Sequence, residues 1–443
     1  MVLPAASAAH AISLTEAVEL SLATNPDIGI VASNREAVDE ELRQARGLWL
    51  PQIDAAAGIG VERTEDRGTR ADTTIDGSSL TLKRKESSLT VQQRVFDGYE
   101  ADATIRREKA RVESAARRVF ENSETLALDA IGAYLEVIRQ RELVRLAEQN
   151  LDIHLSILDA VRERLDRGAG SRADVVQTEA RSARARSTLT QTLNDLRDGE
   201  AAFTRIIGQY PDELDAPEFP ETVLPGDLDA AVMAAANNPD LKVFEADVRE
   251  AEASVTLAEA PYYPAITLEG EAEYNDERDG INDDEFNQQL MLRMRWNLFR
   301  GGIDRANRQE ALARVSESKN RRYQSFLEAQ REMRQSWFAL ESNRQRVDDL
   351  SDAVRFNMET RDAYRQQFEV AQRTLLDVLD AENELFVSSG LLVTAQTNEL
   401  LASYRILAVA GQLLQTLGVA APEQAVVQHT DWLEGIGGPS LGK

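Results

Sequence analysis

The sequence has no cysteine, which excludes disulfides, thiolate metal sites, thiol nucleophiles and a lipid-bearing N-terminal Cys. Histidine is scarce: His10, His154 and His429 lie far apart in the chain and supply neither a metal cluster nor a base beside a nucleophile. His154 falls on a long helical stretch and reads as a surface residue. Aromatic residues make up 6% of the chain, closer to a coiled coil than to a globular enzyme. No run of 18 apolar residues occurs, so no transmembrane helix is expected. Basic charge is in the minority. The 50 Lys and Arg against 76 Asp and Glu leave a formal net charge of -26, an unfavourable surface for nucleic acid. The carboxylates follow helix periodicity and form no acid–base pair. The chain is therefore not read as an enzyme, and no cofactor or metal is implied.

What is present is repetition, which has to be recognised before any fold is assigned. Asn25-Pro26-Asp27 recurs as Asn238-Pro239-Asp240, and Pro51 recurs as Pro264, both at an offset of 213 residues (238 − 25). Phe96/Phe299, Gly98/Gly301, Tyr134/Trp337, Asp174/Asp377 and Glu179/Glu382 then match at 203 (299 − 96). Each half reads as short helix, helix, strand, loop, strand, very long helix, sharp turn, helix. Residues 1–11 resemble the tail of a secretory signal peptide, with an Ala9-x-Ala11 pair suited to cleavage. The expected organisation is a first repeat over 12–207, a linker over 208–227, a second repeat over 228–418 and a flexible tail over 419–443.

From about Ala101 to Asp166 there is no Pro and one Gly. Apolar residues recur every seven positions at Ile105, Val112, Val119 and Leu126. An eleven-residue step leads to Val137, and sevens resume through Val144, Leu151, Leu158 and Leu165. The second half runs from Val315 by eleven to Phe326, then by sevens through Met333, Leu340, Val347 and Val354. Sevens make a left-handed seam that an eleven-residue step locally unwinds. Each helix should extend about 95 Å. Return helices are expected near 172–207 and 374–416, with shorter helices at 26–49 and 239–260. The turns carry cap signatures. Gly168-Ala-Gly170-Ser171 is followed by Asp174, and Thr374 by Asp377, in each case an N-cap with an acid three residues on.

Between the helices the period changes to two. Strands are expected over 52–64, 80–96, 265–275 and 286–298. Ile266 and Leu268 alternate with Thr267 and Glu269, and Leu290, Leu292 and Met294 with Met291 and Arg293. In the first half Leu89, Val91 and Val95 alternate with Thr90, Arg94 and Phe96. One apolar and one polar face result, on strands as long as the roughly 9–11 residues that cross a bilayer at a tilt. Trp49, Phe96, Tyr262 and Phe299 mark the strand–helix junctions at matching points of the two halves, a placement suited to a membrane interface. The loops 65–79 and 275–285 are polar. Four strands cannot close a barrel, and a lipid-embedded sheet tolerates no open edge. Closure then requires several chains, and a cyclic trimer supplies twelve strands. A soluble coiled-coil scaffold is the rival reading, but it leaves two amphipathic hairpins at matching points unexplained.

These residues resemble the TolC family of outer-membrane efflux and secretion ducts over about 12–418. The resemblance rests on the two Asn-Pro-Asp motifs, the Pro51 switch, Asn297-Leu-Phe-Arg-Gly-Gly302, and the segment from Ala363 to Phe386. It implies a mainly α protein with membrane β: a long coiled-coil α-barrel joined to a twelve-stranded barrel made by a homotrimer. It also implies an outer-membrane location extending into the periplasm, a periplasmic adaptor, and an inner-membrane ABC transporter or proton-driven pump. A belt of small elements near 14–23, 208–227 and 228–236 is implied as well. By position, Asp377 and Asp380 match acidic rings of a periplasmic gate, and Arg373 and Asp174 match residues that tie neighbouring helices together there. Ala371 departs from the family, which often has Gly at this point. The Ala-Glu-Asn-Glu-Leu-Phe continuation at 381–386 is most similar to ducts of type I protein secretion; multidrug or metal efflux is the alternative.

Overall fold

A computed structural model describes residues 11–71, 79–217, 219, 221–279, 281, 283–370 and 372–427. Helices α1 (Leu14–Thr24) and α2 (Pro26–Gly47) lead into strands β1 (Gln52–Ile59) and β2 (Glu62–Thr64). A one-turn helix α3 (Arg67–Ala71), strands β3 (Leu80–Leu82) and β4 (Lys85–Phe96), the long helix α4 (Glu100–Asp166) and its return α5 (Arg172–Ile207) complete the first half. The second half holds α6 (Leu228–Ala234), α7 (Pro239–Glu259), β5 (Ala265–Asp276), β6 (Asp284–Arg295), α8 (Ile303–Glu369), α9 (Leu375–Val409) and α10 (Leu413–Leu417).

Two compact units emerge, and each draws on both repeats. One comprises residues 11–34, 115–243 and 323–426; the other comprises 35–114 and 244–322 together with Val427. The boundaries expected at 207 and 228 are therefore not compact boundaries, because α4 and α8 each contribute to both units.

In the first unit the seam expected from the spacing is filled in part, with Leu151 and Leu165 only half-buried. Val112, at the edge of the second unit, and Val119, Leu126, Val137, Val144 and Leu158 of α4 are buried. On α8, Met333 and Leu340 are buried while Phe326, Val347 and Val354 remain half-exposed. The largest core joins α1, α4, α5, α9 and α10 through Val18, Ile131, Tyr134, Phe203, Leu407 and Leu413. The Tyr134 hydroxyl lies 2.7 Å from the carbonyls of Ile12 and of Asp215. It holds Ile12, which bridges Leu214, against α4. Trp337, at the matching place in the second repeat, packs on a smaller core around Met333 and Ile406.

The Asn-Pro-Asp repeat has a local cause. Asn25 Oδ1 accepts from Asp27 N (3.0 Å) while its amide donates to Ile206 O (3.1 Å), near the end of α5. Asn238 Oδ1 accepts from Leu241 N (3.3 Å) and its amide donates to Val409 O (3.0 Å), at the end of α9. Each Asn thus caps one helix and satisfies an orphan carbonyl of another, and Pro at the first helical position needs no N–H partner. The second return helix stops at Val409, short of the expected 416. Gly411 takes φ +66°, and an added Cβ there would lie 3.1 Å from Asn237 O and from the Pro239 ring. The chain reverses into α10 at this glycine.

In the second unit a four-stranded antiparallel sheet runs β1-β4-β5-β6. The strand expected over 52–64 breaks after Ile59. Gly60 N bonds Arg84 O (2.8 Å), and the remainder pairs separately as β2–β3. The strand expected over 80–96 divides likewise at Lys83-Arg84, and the one expected over 286–298 sits two to three residues earlier. A register shift between Arg94 and Phe96 makes Val95 a bulge and sets Phe96 opposite Ile266. Phe96 therefore joins the apolar row, contrary to simple alternation.

Candidate functional site

Register sorts the sheet into two chemically distinct faces. One carries Ile53, Val91, Gly270 and Leu290 in a single cross-strand row, with Leu268–Leu292 and Ile266–Met294 beside it. These side chains are open to the surroundings: Leu290 is 75% exposed and Leu292 68%. The other face carries Asp54, Thr90, Glu271 and Gln289 in one row and Ala56, Ser88, Glu273 and Asn287 in the next. Glu269 there pairs with Arg293 at 2.7 Å. Every residue of β6 is exposed, and β1 and β6 are open edges. A water-soluble sheet would cover such an apolar face and blunt such edges. Among the described residues no helix is long and apolar enough to cross a membrane.

The junction aromatics lie beside the sheet. Trp49 O accepts from Gln93 Nε2 (2.9 Å), and Tyr262 O accepts from Trp296 Nε1 (3.2 Å). Phe96 meets Tyr99 edge-on at 5.4 Å, and Tyr99 meets Tyr263 at 5.6 Å. Phe299 is exposed. Tyr99, Tyr263 and Trp296 complete this set, and all three are aromatics within a few residues of the predicted strand ends.

In the first unit the α4–α5 and α8–α9 turns frame a small core of Leu158, Val161, Val175, Leu375 and Leu379. Gly168 adopts φ +74°, and a Cβ on Gly170 would lie 2.7 Å from Leu165 N, so the turn closes tightly only with glycine. The two caps differ. Asp377 Oδ2 accepts from Thr374 N (3.1 Å) and Oγ1 (2.8 Å), and Asp377 N donates to Thr374 Oγ1 (3.3 Å), a complete reciprocal cap. The Thr374 side chain, then its backbone N–H, hold the Asp377 carboxyl below its ordinary range. The Ser171 side-chain oxygen accepts from Ala173 N (3.1 Å), and Asp174 does not close the box. Arg373 stacks 4.2 Å over the Tyr364 ring, donates to Gln367 (3.0 Å) and lies 3.8 Å from Asp377. Among the described residues it forms no ion pair with Asp174, whose carboxylate has no partner there. Asp380 is paired with Arg181 of α5 at 2.7 Å. Ala371, His10 and His429 lie outside the described residues.

Two repeat-related ion pairs clamp the hairpins. Glu179 meets Arg162 at 2.6 Å across α4–α5. Glu382, almost fully buried, lies 3.8 Å from Arg365 and 3.5 Å from Arg361 across α8–α9. Arg162 and Arg365 stand at the same offset of 203 (365 − 162) as Glu179 and Glu382, a signal present in the sequence. His154 is a correction: it is buried at 4%, because α5 covers its face of α4, where Ser182 Oγ approaches its carbonyl. Among the described residues no group of three or more His, Asp or Glu is placed to hold a metal.

Outer membrane efflux proteins as a family match residues 17–209 and 230–412. The chain belongs to this family, the TolC family. It is 25% identical over 426 residues to the outer membrane efflux protein BepC of Brucella suis, covering 94% of this chain and 89% of that one. It is 22% identical over 427 residues to the outer membrane protein TolC of Escherichia coli, covering 92% and 84%. A membrane protein from Pseudomonas aeruginosa shares its fold at a TM-score of 0.80 and 18% identity, covering 94% of this chain and 92% of that one. This TolC-family chain is thus an outer-membrane protein with a TolC-like fold, and its family consists of channels. The matched segments bracket 210–229, which run from the end of α5 into α6.

Proposed function

We propose that the chain is the exit duct of a tripartite export system, a passive conduit with no chemistry of its own. The observation that carries this reading is the sheet, with an exposed apolar face, a polar face and two open edges. In lipid those edges have to be paired. Pairing β6 of one copy with β1 of the next, three times round, closes twelve strands with the carboxylate-bearing face inward. Tyr323, Leu327, Phe338 and Phe356 of α8, off its seam, are also exposed, which supports the same conclusion, since a second copy would cover them.

A conduit supplies no energy. Transport is driven by an inner-membrane pump, an ABC transporter or a proton-driven one, reached through a periplasmic adaptor that docks at the α4–α5 and α8–α9 turns. The complete Thr374 cap and the Asp380–Arg181 pair support a closed, well-defined turn end, with Asp377 and Asp380 as its acidic residues. For cargo, the Ala381–Phe386 continuation favours proteins exported by type I secretion. The efflux protein BepC among its relatives favours small molecules as the second reading. Deleting the chain from its host separates them. Loss of a polypeptide from the medium with unchanged tolerance of dyes and detergents supports protein secretion. Sensitisation with an unchanged secretome supports efflux, and neither phenotype would overturn the duct.

A further inference from the structure

Asp377 and Asp380 stand three residues apart, and a plain acidic ring would leave both carboxylates free in the bore. Neither is free. Asp377 is engaged by Thr374, and Asp380 Oδ1 accepts from Arg181 Nη2 at 2.7 Å. Arg181 lies on α5, in the first repeat, so this pair ties the two hairpins of one chain together. Among the described residues the guanidinium forms no ion pair with an acid of its own helix, and Glu179 is held by Arg162. On its α4 side stands His154, buried and with Nδ1 unpartnered. Burial, and then Arg181 itself, push the imidazole pKa down, so the ring is neutral at pH 7 and adds no rival charge. Arg181 is three-quarters buried while Asp380 is more than half exposed. The cation is held by the helices, and the carboxylate reaches out to it. A second contact between the two repeats lies nearer the α4–α5 loop, where the Arg164 guanidinium covers the Phe368 ring at 4.7 Å.

We infer that Arg181 is a positioning and selectivity residue of the gate: it latches α9 to α5 through Asp380 and cancels that carboxylate's charge in the bore. The inference rests on the duct reading above. With the latch closed, the ring presents paired charge and a weak field. When α9 moves away from α5, Asp380 is released as a bare carboxylate in each copy, so opening and cation attraction increase together. The pair is partly solvent-exposed, so salt screens it and high ionic strength favours release.

The test is single-channel recording of the full chain in planar bilayers under a KCl gradient, with hexaamminecobalt(III) added on the side of the helix turns. Arg181→Gln should raise conductance, shift the reversal potential towards cations and lower the blocking concentration about three- to fivefold. Asp380→Asn should also raise conductance, but shift selectivity away from cations and weaken the block. Arg181→Lys should restore most of the wild-type behaviour. A merely structural role for Arg181 would alter conductance without these opposite selectivity shifts. A wild-type reversal potential and block in Arg181→Gln would overturn the latch and leave the duct standing. A wild-type chain that forms no channel at all would overturn the duct reading, and the latch with it.

Discussion

Glu124 is 2% exposed on α4, and its two carboxylate oxygens accept the backbone N–H groups of Leu413 (3.1 Å) and Leu414 (3.2 Å). It fastens the start of α10 to the largest core. Burial pushes its carboxyl up from 4.5 to about 7, and the two N–H groups offset only part of that. Between about pH 4.5 and 7 the folded chain therefore holds a proton that the unfolded chain has released. The contribution is complete below 4.5 and is lost as pH rises through 7, by roughly 3 kcal/mol at most. Glu124→Gln should flatten the pH dependence of thermal unfolding, followed by circular dichroism between pH 5 and 8. An unchanged slope in the variant would remove Glu124 from this account. The hairpin clamps make a second comparison. Glu179 and Arg162 are both about half exposed, so Glu179→Ala should cost under about 1 kcal/mol. Glu382→Ala removes the buried carboxylate facing the mostly buried Arg361, which keeps only the half-exposed Asp362, and should cost more, about 1–3 kcal/mol. Equal losses in denaturant titrations would contradict the burial difference.

At the scale of elements, the readable features were those with local causes. The spacing of Val119, Leu126 and Leu340, the recurring Asn25 and Asn238 motifs and the Pro51 switch can each be read along a single stretch of chain. The unreadable ones depend on partners distant in sequence. The Val95 bulge is set by register against Ile266, and the break at Gly60 by its bond to Arg84. Likewise the Arg181–Asp380 pair joins residues far apart in the chain, and the burial of His154 depends on which face α5 covers. Apolar alternation alone placed Phe96 on the wrong face for the same reason. The faces themselves carry a prediction. Leu292 pairs with Leu268 on the apolar side and is exposed. Leu292→Arg should cost about 2–4 kcal/mol if the position is near mid-membrane, with a matching fall in membrane-inserted protein. Met291 faces the polar side, opposite Glu269, so Met291→Arg should be tolerated. Similar yields of the two variants after membrane fractionation would refute the assignment of faces.

At the scale of the whole molecule, duplication gives one chain two hairpins and four strands, an arrangement that is incomplete alone. Both sheet edges present unpaired backbone groups, and each such group costs several kcal/mol in hydrocarbon. The apolar row of α8 is likewise left uncovered in a single copy. The proposed assembly would pair those edges, and a second copy would cover that row. The proposed closure takes three copies, whose four-stranded sheets together give twelve strands, within the range of membrane barrels. Purified in a mild detergent, the protein is expected to be a trimer by light scattering with detergent correction. It should run as a heat-sensitive high-mass band on a denaturing gel that collapses to the single-chain position on boiling. Introducing Pro at Gln289, in the middle of edge strand β6, removes a ladder donor. If β6 is the seam between copies, that variant should shift towards single chains while retaining its helical circular dichroism. A stable, monodisperse single chain from the wild type, carrying its exposed apolar face in solution, would disprove closure by copies.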